Sequence, residues 1–264
     1  MNSTMVRSKT RDTLAFCLGI LLIGVLMQLA GWLKGDDLIF PGVDEILRAF
    51  GRLITTGRTY RLIWTTMRHL LASMALATLI GVGVGLLQGM SGFARRLLKP
   101  LMIMLRSLPM VVLIVIVMVI FPENKYRNVP VIASTLILTP IISEATCEGC
   151  LRIDRELIDV YRMNSGFNLR VLLNVYLPLM AGYLKQAYIN AVGMGIKLAV
   201  STEYLVQTDN SLGKTVTTSI SASAFDEIYA YALIMILLVL LVSEAPIWIG
   251  KLTGHIKAQR LTKA

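Results

Sequence analysis

Apolar residues fall into six long runs along the chain, and most polar residues lie between them. The runs are Thr13–Leu33, Leu70–Met90, Leu101–Phe121, Val129–Cys147, Leu179–Leu205 and Tyr229–Ile249. Each run has roughly the 20 residues that an α-helix needs to cross the hydrocarbon core of a bilayer. The pattern therefore predicts an all-α, polytopic membrane protein with six transmembrane helices, and an even number of spans places both termini on the same side.

The first run has a competing interpretation as a secretory signal peptide. A signal peptide has an apolar core of about 7–15 residues that ends at a small-residue cleavage site. The first run is longer and ends in Gly31-Trp32-Leu33-Lys34. We expect a retained first span.

The composition agrees with a membrane protein and argues against most soluble classes. Hydrophobic residues make up 55% of the 264 residues, charged residues make up 16%, and the mean hydropathy is +0.68. A soluble domain carries about 25% charged residues, so a soluble enzyme is not expected. The net charge of +10 is assigned to topology and to contacts with anionic membrane lipid, and no nucleic acid partner is predicted.

The distribution of lysine and arginine gives the orientation. With the N-terminus inside, the cytoplasmic segments hold 15 of the 26 basic residues, the opposite segments hold 9, and two lie within spans. Cytoplasmic loops are enriched in Lys and Arg, so both termini are predicted to be cytoplasmic. The chain is then a single transmembrane domain, 1–264. Its segments outside the spans are a cytoplasmic N-terminus (1–12), an extracytoplasmic segment (34–69), a cytoplasmic loop (148–178) and a cytoplasmic tail (250–264).

Local patterns predict how some of these segments pack. Apolar residues at helical spacing between Pro41 and Gly57, with Arg48 and Arg52 on the other face, predict an amphipathic helix at the outer interface. Small residues recur every four positions in the second run, at Ser73, Ala77, Gly81, Gly85 and Gly89. Such a ridge allows close approach of another helix. Pro109 and Pro140 are expected to kink the third and fourth spans.

The residue types that catalysis needs show no recognisable arrangement. Gly213-Lys214-Thr215 resembles the end of a phosphate-binding loop, but Thr208 stands where that loop needs a glycine. His69 and His255 have no cysteine or carboxylate cluster beside them in the sequence, so no metal site is predicted. The CxxC pair at 147–150 is interpreted as a reduced structural pair, because no second ligand pair accompanies it. We predict no catalytic residues on this chain.

The longest polar interruption, 148–178, predicts a helix–turn–helix. Asp154, Glu156 and Asp159 suit the start of its first helix, where the helix dipole favours negative charge. Ser165-Gly166 ends this helix, and Leu177-Pro178 closes the second. A solvated loop would leave the apolar residues of the first helix in water. These residues are Leu157, Ile158, Val160, Tyr161 and Met163.

This loop resembles the signature of the membrane subunit of binding-protein-dependent ABC importers, which reads Glu-Ala-Ala, three residues, glycine, nine residues and Ile-x-Leu-Pro. Here Asp159-Val160-Tyr161 takes the Glu-Ala-Ala place, Ser165 takes the glycine place beside Gly166, and Val175-Tyr176-Leu177-Pro178 completes the motif. Further matches are Gly149, Asp154, Glu156-Leu157, Arg106-Ser107-Leu108-Pro109, Glu203 and Ser211-Leu212-Gly213. The resemblance covers about residues 40–260 and is strongest to nitrate, sulfonate and taurine permeases. Departures at Val160-Tyr161, at the shifted glycine and at Lys197 leave the solute open.

The resemblance implies a type I ABC importer permease of the inner membrane. Two copies, expected as a homodimer, would form the pore, and ABC ATPase subunits would bind ATP and Mg, with no cofactor on this chain. An extracytoplasmic solute-binding protein would deliver a sulfonate, nitrate, taurine or vitamin precursor. A coupling helix in the cytoplasmic loop would dock on the ATPase, and Leu177-Pro178 would set a sharp entry into the fifth span. The ATPase-coupling residues would be Asp154, Glu156, Leu157, Asp159, Val160, Tyr161, Arg162, Met163, Ser165, Gly166, Leu177 and Pro178.

Charged residues within the spans are candidates for the translocation pathway. A charge at the centre of a span costs about 2.5–3.5 kcal/mol on insertion scales, so partners or water are expected. Glu144, Lys197 and Glu203 either line the pathway or pair between helices, for example Lys197 with one of the two carboxylates. Arg106 and Glu244 are expected near the cytoplasmic boundary.

Two other function classes are compatible with a polytopic protein. An ion-gradient-driven secondary transporter would use Glu144, Lys197 and Glu203 as an ion relay, but no inverted repeat is visible between the halves 1–130 and 131–264. A membrane-anchored assembly factor would use the cytoplasmic loop only for docking. The importer permease is the leading interpretation.

Overall fold

The computed structural model describes Val25, Leu29, residues 41–122, 125–153, Glu156 and residues 171–261. Within these residues the chain is almost entirely helical and none lies in a strand, which confirms the all-α prediction. The helices are α1 (Val43–Thr55), α2 (Gly57–Met90), α3 (Gly92–Ser107), α4 (Met110–Ile120), α5 (Lys125–Leu151), α6 (Leu177–Val206), α7 (Leu212–Ser221) and α8 (Phe225–Leu261). A five-residue π-helical turn, Leu172–Tyr176, leads into α6.

The chain forms two compact units. One consists of Met1–Tyr60 and Val216–Met235, and the other of Arg61–Thr215 and Ile236–Ala264. The larger unit contains a core built by α2, α5 and α6, in which Leu70, Leu138 and Ile196 are almost fully buried. In the same unit α5 also packs against α3 and α4.

Three of the described helices are long and apolar enough to cross a membrane, at Gly57–Met90, Asn128–Leu151 and Phe225–Ser243. A bent pair of helices, α3 and α4, makes a fourth crossing if it is counted as one span. The sequence predicts six spans. The first of these, Thr13–Leu33, lies outside the described residues except for Val25 and Leu29. The fifth lies in a single helix, α6, which is not among these crossings.

The predicted third span, Leu101–Phe121, is not one helix. Helix α3 ends at Ser107, α4 begins at Met110, and the two axes differ by 103°. Leu108 and Pro109 between them have extended backbone angles, with ψ of 130° at both residues. A residue before proline is sterically disfavoured from the helical region, so Pro109 separates two helices rather than kinking one. Pro140 lies inside the continuous helix α5.

Helix α2 begins 13 residues before the predicted start of the second span. It starts at Gly57 rather than Leu70, and its 34 residues extend about 51 Å at 1.5 Å per residue. Thr59, Leu62 and Thr66 are buried along one face of this extension. Arg58, Arg61 and Arg68 interrupt the apolar pattern before Leu70. The hydropathy of the sequence therefore did not predict that the helix begins at Gly57.

The small residues of α2 pack closely against α5, as the sequence predicts. A Cβ atom added at Gly85 would lie 2.5 Å from the backbone oxygen of Ser143, and one at Gly81 would lie 2.9 Å from Ile142 Cβ. At Gly89 an added Cβ would lie 2.5 Å from Cys150 Cβ. Ser73 and Ala77 of the same ridge are fully buried. The two helices approach so closely only because these positions lack larger side chains.

Leu177-Pro178 does not close a separate helix or make a sharp entry, which corrects the prediction. Leu177 has helical angles (φ −61°, ψ −46°), and the chain runs from the π-helical turn straight into α6. The backbone N–H of Leu177 donates to the carbonyl of Leu172, five residues earlier. The wider π turn accommodates Pro178, which has no N–H and whose ring would clash with the carbonyl four residues before it in a regular α-helix.

The predicted amphipathic helix is present as α1. Ile46 and Ala49 are buried in its own compact unit, whereas Arg48 and Arg52 are largely exposed. Arg48 forms an ion pair with Asp44 one turn earlier, and Arg52 pairs with Asp226 of α8 at 3.0 Å. Leu47 and Ile54 are exposed, so the apolar face is only partly covered by this chain.

Candidate functional site

Most of the predicted coupling residues lie outside the described part of the chain. They are Asp154, Leu157, Asp159, Val160, Tyr161, Arg162, Met163, Ser165 and Gly166. Glu156 is described and exposed, and Leu177 and Pro178 are exposed in the first turn of α6. The structure therefore describes the flanks of the loop: Ile153 on one side packs in one cluster with Val175, Tyr176 and Met180 on the other.

Glu203 of α6 lies in a fully buried hydrogen-bonding network, with 0% of its surface exposed. One carboxylate oxygen, Oε2, accepts hydrogen bonds from Thr66 Oγ1 at 2.8 Å and from the backbone N–H of Gly213 at 3.3 Å. The other oxygen, Oε1, lies 2.7 Å from His69 Nδ1. Thr66 Oγ1 in turn accepts from the backbone N–H of Leu212 at 3.3 Å. A buried carboxylate needs this number of donors, because an unpaired one would carry the full cost of desolvation.

This network fixes the start of α7 against α2 and α6. The N–H groups of Leu212 and Gly213 belong to the first turn of α7, where backbone donors have no partner within the helix. The negative charge of Glu203 also suits the positive end of the helix dipole. A side chain at Gly213 would not fit, because an added Cβ would lie 2.4 Å from both the nitrogen of Tyr204 and the oxygen of Val200.

Glu144 of α5 has a different environment. Its carboxylate forms an ion pair with the guanidinium of Arg106 in the last turn of α3, and the two side chains are 55% and 62% exposed. Arg106 lies two residues before Leu108, where the break begins. Because both partners are exposed, the pair contributes little to stability, typically about 0–1 kcal/mol.

The Arg106–Glu144 pair lines two cavities in which charged and polar side chains lie among apolar ones. The first, here called the α3 cavity, has a volume of about 310 Å³, and its polar lining consists of Gln88, Arg95, Lys99, Arg106, Glu144 and Glu148. The second, the α6 cavity, has a volume of about 690 Å³, and its polar lining consists of Arg106, Glu144, Glu148, Tyr183, Gln186 and Asn190. Arg106, Glu144 and Glu148 are common to both. The ion pair therefore lies where the two cavities adjoin.

A polar face continues along α6 from the α6 cavity. Gln186, Asn190 and Lys197 are exposed and follow at intervals of four and seven residues, which places them on one side of the helix. Polar side chains on a membrane helix face water or protein rather than lipid.

The three charged residues proposed for the pathway are thus not brought together. Glu203 is buried with Thr66 and His69, Glu144 pairs with Arg106, and Lys197 is exposed. The alternative of a pair between Lys197 and either carboxylate is wrong, because both carboxylates have other partners. The sequence did not single out Thr66 or His69 as partners of Glu203. Thr66 and His69 lie on the same helical face as the buried Leu62 and Leu70. This spacing would have placed them in the interior if the helix had been predicted to begin at Gly57.

The CxxC pair belongs to helix packing. Cys147 and Cys150 are both buried and carry free thiols in α5, and Cys150 contacts the α2 ridge at Gly89. The neighbouring Arg95 donates hydrogen bonds to the carbonyls of Gln88 and Gly89 at the end of α2, where a cation is favoured by the helix dipole. Within the described residues, no three His, Cys, Asp or Glu side chains are grouped so that they could hold a metal ion.

Comparison with known proteins gives consistent matches over most of the chain. The family model described as the binding-protein-dependent transport system inner membrane component matches residues 48–252. A probable ABC transporter permease protein of Brucella melitensis biotype 1 is 23% identical over 199 residues, which cover 74% of this chain and 80% of that protein. A probable ABC transporter permease protein of Brucella abortus strain 2308 has the same identity, over 78% of its length.

Solved structures share the fold at low sequence identity. Inward-facing conformations of the MetNI methionine ABC transporter match with a TM-score of 0.62 at 19% identity, covering 72% of this chain and 93% of that chain. A bacterial ABC transporter involved in the import of the acidic polysaccharide alginate matches with a TM-score of 0.64 at 11% identity, covering 94% of this chain and 99% of that chain. The chain therefore belongs to the binding-protein-dependent transport system inner membrane components, and it is a multi-pass inner-membrane permease subunit of an ABC importer with the type I fold.

Proposed function

We propose that this chain forms half of the translocation pathway of an ATP-driven importer, as a homodimer, for a small solute delivered by an extracytoplasmic solute-binding protein. The observation that carries the pathway is the pair of cavities that adjoin at the charged side chains of Arg106 and Glu144. In a helical membrane protein such cavities accommodate water and polar solutes, because charged groups are too costly to expose to lipid. Glu144 and Lys197 are then the pathway residues of the predicted set, and Glu203 serves to position α7.

The cytoplasmic loop 148–178 is the proposed docking site for the ATPase subunits. The packing of its flanks supports this role, because Ile153, Tyr176 and Met180 join the end of α5 to the start of α6 in one buried cluster. The guanidinium of Arg152 also lies over the ring of Tyr183, 5.7 Å from its centre. A rigid-body push on the loop would therefore move α5 and α6 together, and with them the walls of the α6 cavity.

The remaining partners follow from the family. ATP and Mg would bind on the partner ATPase, and this chain would carry no cofactor.

The excess of basic residues in the predicted inner segments supports an orientation with both termini in the cytoplasm and with contacts to anionic lipid. A fluorescent-protein fusion at the C-terminus should fluoresce in cells, whereas an alkaline phosphatase fusion there should be inactive. The opposite result would contradict the orientation.

The solute is proposed only by class. The resemblance to nitrate, sulfonate and taurine permeases favours a small anion or zwitterion, and a vitamin precursor is a further option. Uptake from a panel of these compounds by proteoliposomes would identify the solute.

Reconstitution tests the proposed function as a whole. Proteoliposomes that contain the permease and its ATPase should accumulate solute only when ATP is inside, on the ATPase side, and the binding protein is outside. The substitution Tyr161→Asp in the cytoplasmic loop should abolish uptake and release the ATPase. Arg96→Ala, an exposed charge on α3 outside the loop, should leave both unchanged. Uptake by the permease alone under an ion gradient would contradict the proposal.

A further inference from the structure

A third cavity, here called the α1 cavity, lies between α1 and the turn that joins α7 to α8, within the smaller compact unit. It has a volume of about 740 Å³ and is lined by Pro41, Glu45, Arg48, Arg52, Ser223, Phe225 and Asp226. It shares no lining residue with the α3 and α6 cavities. Both of its walls belong to segments predicted to be extracytoplasmic, 34–69 and the connection between the fifth and sixth spans.

The faces of α1 place this cavity on the side away from the membrane. The exposed apolar residues of the helix are Val43, Leu47 and Ile54, and their spacing puts them on one face. Glu45, Arg48 and Arg52 lie on the opposite face, because a helix turns by about 100° per residue. An interfacial helix turns its apolar face to the bilayer. The α1 cavity therefore faces water, where a soluble protein can reach it.

The charges at the α1 cavity leave one carboxylate without an ion-pair partner. Arg48 pairs with Asp44, and Arg52 pairs with Asp226 at 3.0 Å. Glu45 is exposed and forms an ion pair with none of the described residues. Three carboxylates and two guanidinium groups leave a net charge of −1 on these five side chains. A basic side chain of a partner complements this surface.

The wall that α7 and α8 contribute is held in one conformation by its backbone. Ser223 has a left-handed conformation with φ of 54°. The N–H of Ala224 donates to the carbonyl of Ser219, five residues earlier, at 2.9 Å. This is the long hydrogen bond of the Schellman motif, which ends many helices. Phe225 and Asp226 follow this turn directly, so they are positioned before a partner binds, which lowers the entropic cost of binding.

The exposure of the charged side chains favours a protein partner over a small solute. The side chains of Arg48 and Arg52 are 72% and 69% exposed. A small molecule would leave most of these groups in water, where ion pairs are weak. A protein surface covers them and excludes water from the contacts at its centre. Phe225 adds an aromatic side chain, a residue type that is enriched in protein interfaces.

We propose that the α1 cavity is the docking site of the extracytoplasmic solute-binding protein, which inserts a lysine or arginine side chain beside Glu45. This inference rests on the proposed function and deepens it, because it names the surface that receives the binding protein. The unpaired carboxylate disfavours an anionic lipid headgroup at the same place. Lipid and a second copy of this chain are the other occupants, and the experiment distinguishes them.

The test measures the affinity of this transporter's purified binding protein for the permease–ATPase complex in phosphatidylcholine nanodiscs, by biolayer interferometry. The wild-type complex should bind. Glu45→Lys should weaken binding about tenfold or more, because two basic groups then face each other, and Glu45→Gln should weaken it less. The difference between the wild type and Glu45→Lys should shrink at about 0.5 M salt, which screens exposed charges.

Asp209→Lys is the matched control. It reverses an exposed carboxylate that is predicted to be extracytoplasmic and that does not line the α1 cavity. It should bind the binding protein as the wild type does, and it corrects for the change in net charge. Size-exclusion chromatography checks that each variant complex remains assembled.

A charge exchange identifies the partner residue. Binding-protein variants, each with one exposed lysine or arginine replaced by glutamate, are titrated onto the wild type and onto Glu45→Lys. One of them should bind Glu45→Lys more tightly than it binds the wild type, which a misfolded permease could not do. The proposal is overturned if no variant does so, if Glu45→Lys binds the unaltered binding protein as the wild type does, or if the wild type does not bind it.

Two further readouts exclude the other occupants. If phosphatidylglycerol in the nanodiscs displaces the binding protein, the surface belongs to lipid. If Glu45→Lys changes the mass of the permease assembly, the surface belongs to a second copy. Either result overturns the proposal. ATP-dependent uptake is measured separately: uptake with docking that does not depend on Glu45 contradicts only this inference, whereas Glu45-dependent docking without uptake contradicts only the proposed function.

Discussion

Two carboxylates in neighbouring helices of the larger unit have opposite environments. Glu203 in α6 is fully buried and receives donors from Thr66, His69 and Gly213. Glu144 in α5 is half exposed, has Arg106 as its ion-pair partner, and lines two cavities. Both residues are charged groups in predicted spans, and the sequence made both of them candidates for the translocation pathway. Only the first is part of the rigid framework.

The difference shows how burial separates structural charges from functional ones. A carboxylate with several convergent donors is costly to disturb, because every donor that loses it remains buried and unpaired. A carboxylate with one exposed partner can exchange that partner, because water or a solute compensates the loss. Intramembrane charge alone therefore does not mark a transport pathway. The number of donors and the adjoining open space decide which role a charge has.

Removal of each carboxylate in turn is the strongest test of this comparison. Glu203→Ala should lower the free energy of unfolding by about 3–5 kcal/mol, as found when one member of a buried charged network is lost. Glu144→Ala should change it by less than about 1 kcal/mol. Reversible unfolding in sodium dodecyl sulfate titrations of mixed micelles measures both. Equal losses of unfolding free energy for the two variants would show that burial and donor number do not distinguish Glu203 from Glu144.

The glycines beside the two carboxylates give a second, smaller contrast. Gly213→Ala should lower the free energy of unfolding by about 2–3 kcal/mol, in the upper part of the range for overpacking, because the new Cβ meets backbone atoms of Tyr204 and Val200 at 2.4 Å. Gly182 borders the α6 cavity, and nothing lies within 4 Å of a Cβ added there. Gly182→Ala should raise stability by up to about 1 kcal/mol through helix propensity. The same titrations measure both, and a loss at Gly182 equal to that at Gly213 would contradict the geometry.

The donors around Glu203 can be removed one at a time to sharpen the comparison further. His69→Leu leaves Oε1 of Glu203 without the group that lies 2.7 Å from it. Loss of one hydrogen bond to a charged group should cost about 1.5–2 kcal/mol. His69→Asn places an amide nitrogen near the position of Nδ1 and should recover most of the loss. Gln186→Ala, at an exposed polar residue of the α6 cavity, is the control and should leave the free energy of unfolding unchanged. If His69→Asn does not recover stability, the loss in His69→Leu comes from packing and not from the hydrogen bond.

The sequence predicted the features that depend on local repetition. The small-residue ridge from Ser73 to Gly89 predicted close packing of α2, because four-residue spacing places all its members on one helix face. The motifs from Arg106 to Gly213 identified the family, because their order and spacing are specific. The class of the protein therefore followed from the sequence.

Features that depend on tertiary contacts were not accessible in the same way. Two of the three partners of Glu203 come from α2, 134 and 137 residues away in the chain. At Pro109 the sequence predicted a kink, whereas the chain forms two helices whose axes differ by 103° and which both pack on α5. The pairing of Arg106 with Glu144 spans 38 residues and two helices. Charge and hydropathy in the sequence do not distinguish Glu144 from Glu203. Their different roles follow only from their burial and from their partners in the structure.

Asp44 of α1 extends the comparison to a carboxylate that is fully exposed, and it should show the smallest effect. The hydrogen bond from Arg48 lowers the pKa of Asp44 below its usual value of 3.8. Because the pKa in the folded state is the lower one, the stabilising contribution is complete above the pKa of the unfolded chain and is lost as the pH falls through that of the folded chain.

We expect the stability difference between the wild type and Asp44→Asn to be small at about pH 6 and to shrink towards zero as the pH falls to about 3. Glu45→Gln, an exposed carboxylate in the same first turn, corrects for the helix dipole, which acts on both residues. Unfolding titrations at several pH values measure both variants. A difference for Asp44→Asn that exceeds the one at Glu203, or that grows as the pH falls, would mean that exposure does not limit the strength of a charge pair in this protein. The distinction between the Glu203 network and the Arg106–Glu144 pair would then have to rest on the cavities alone.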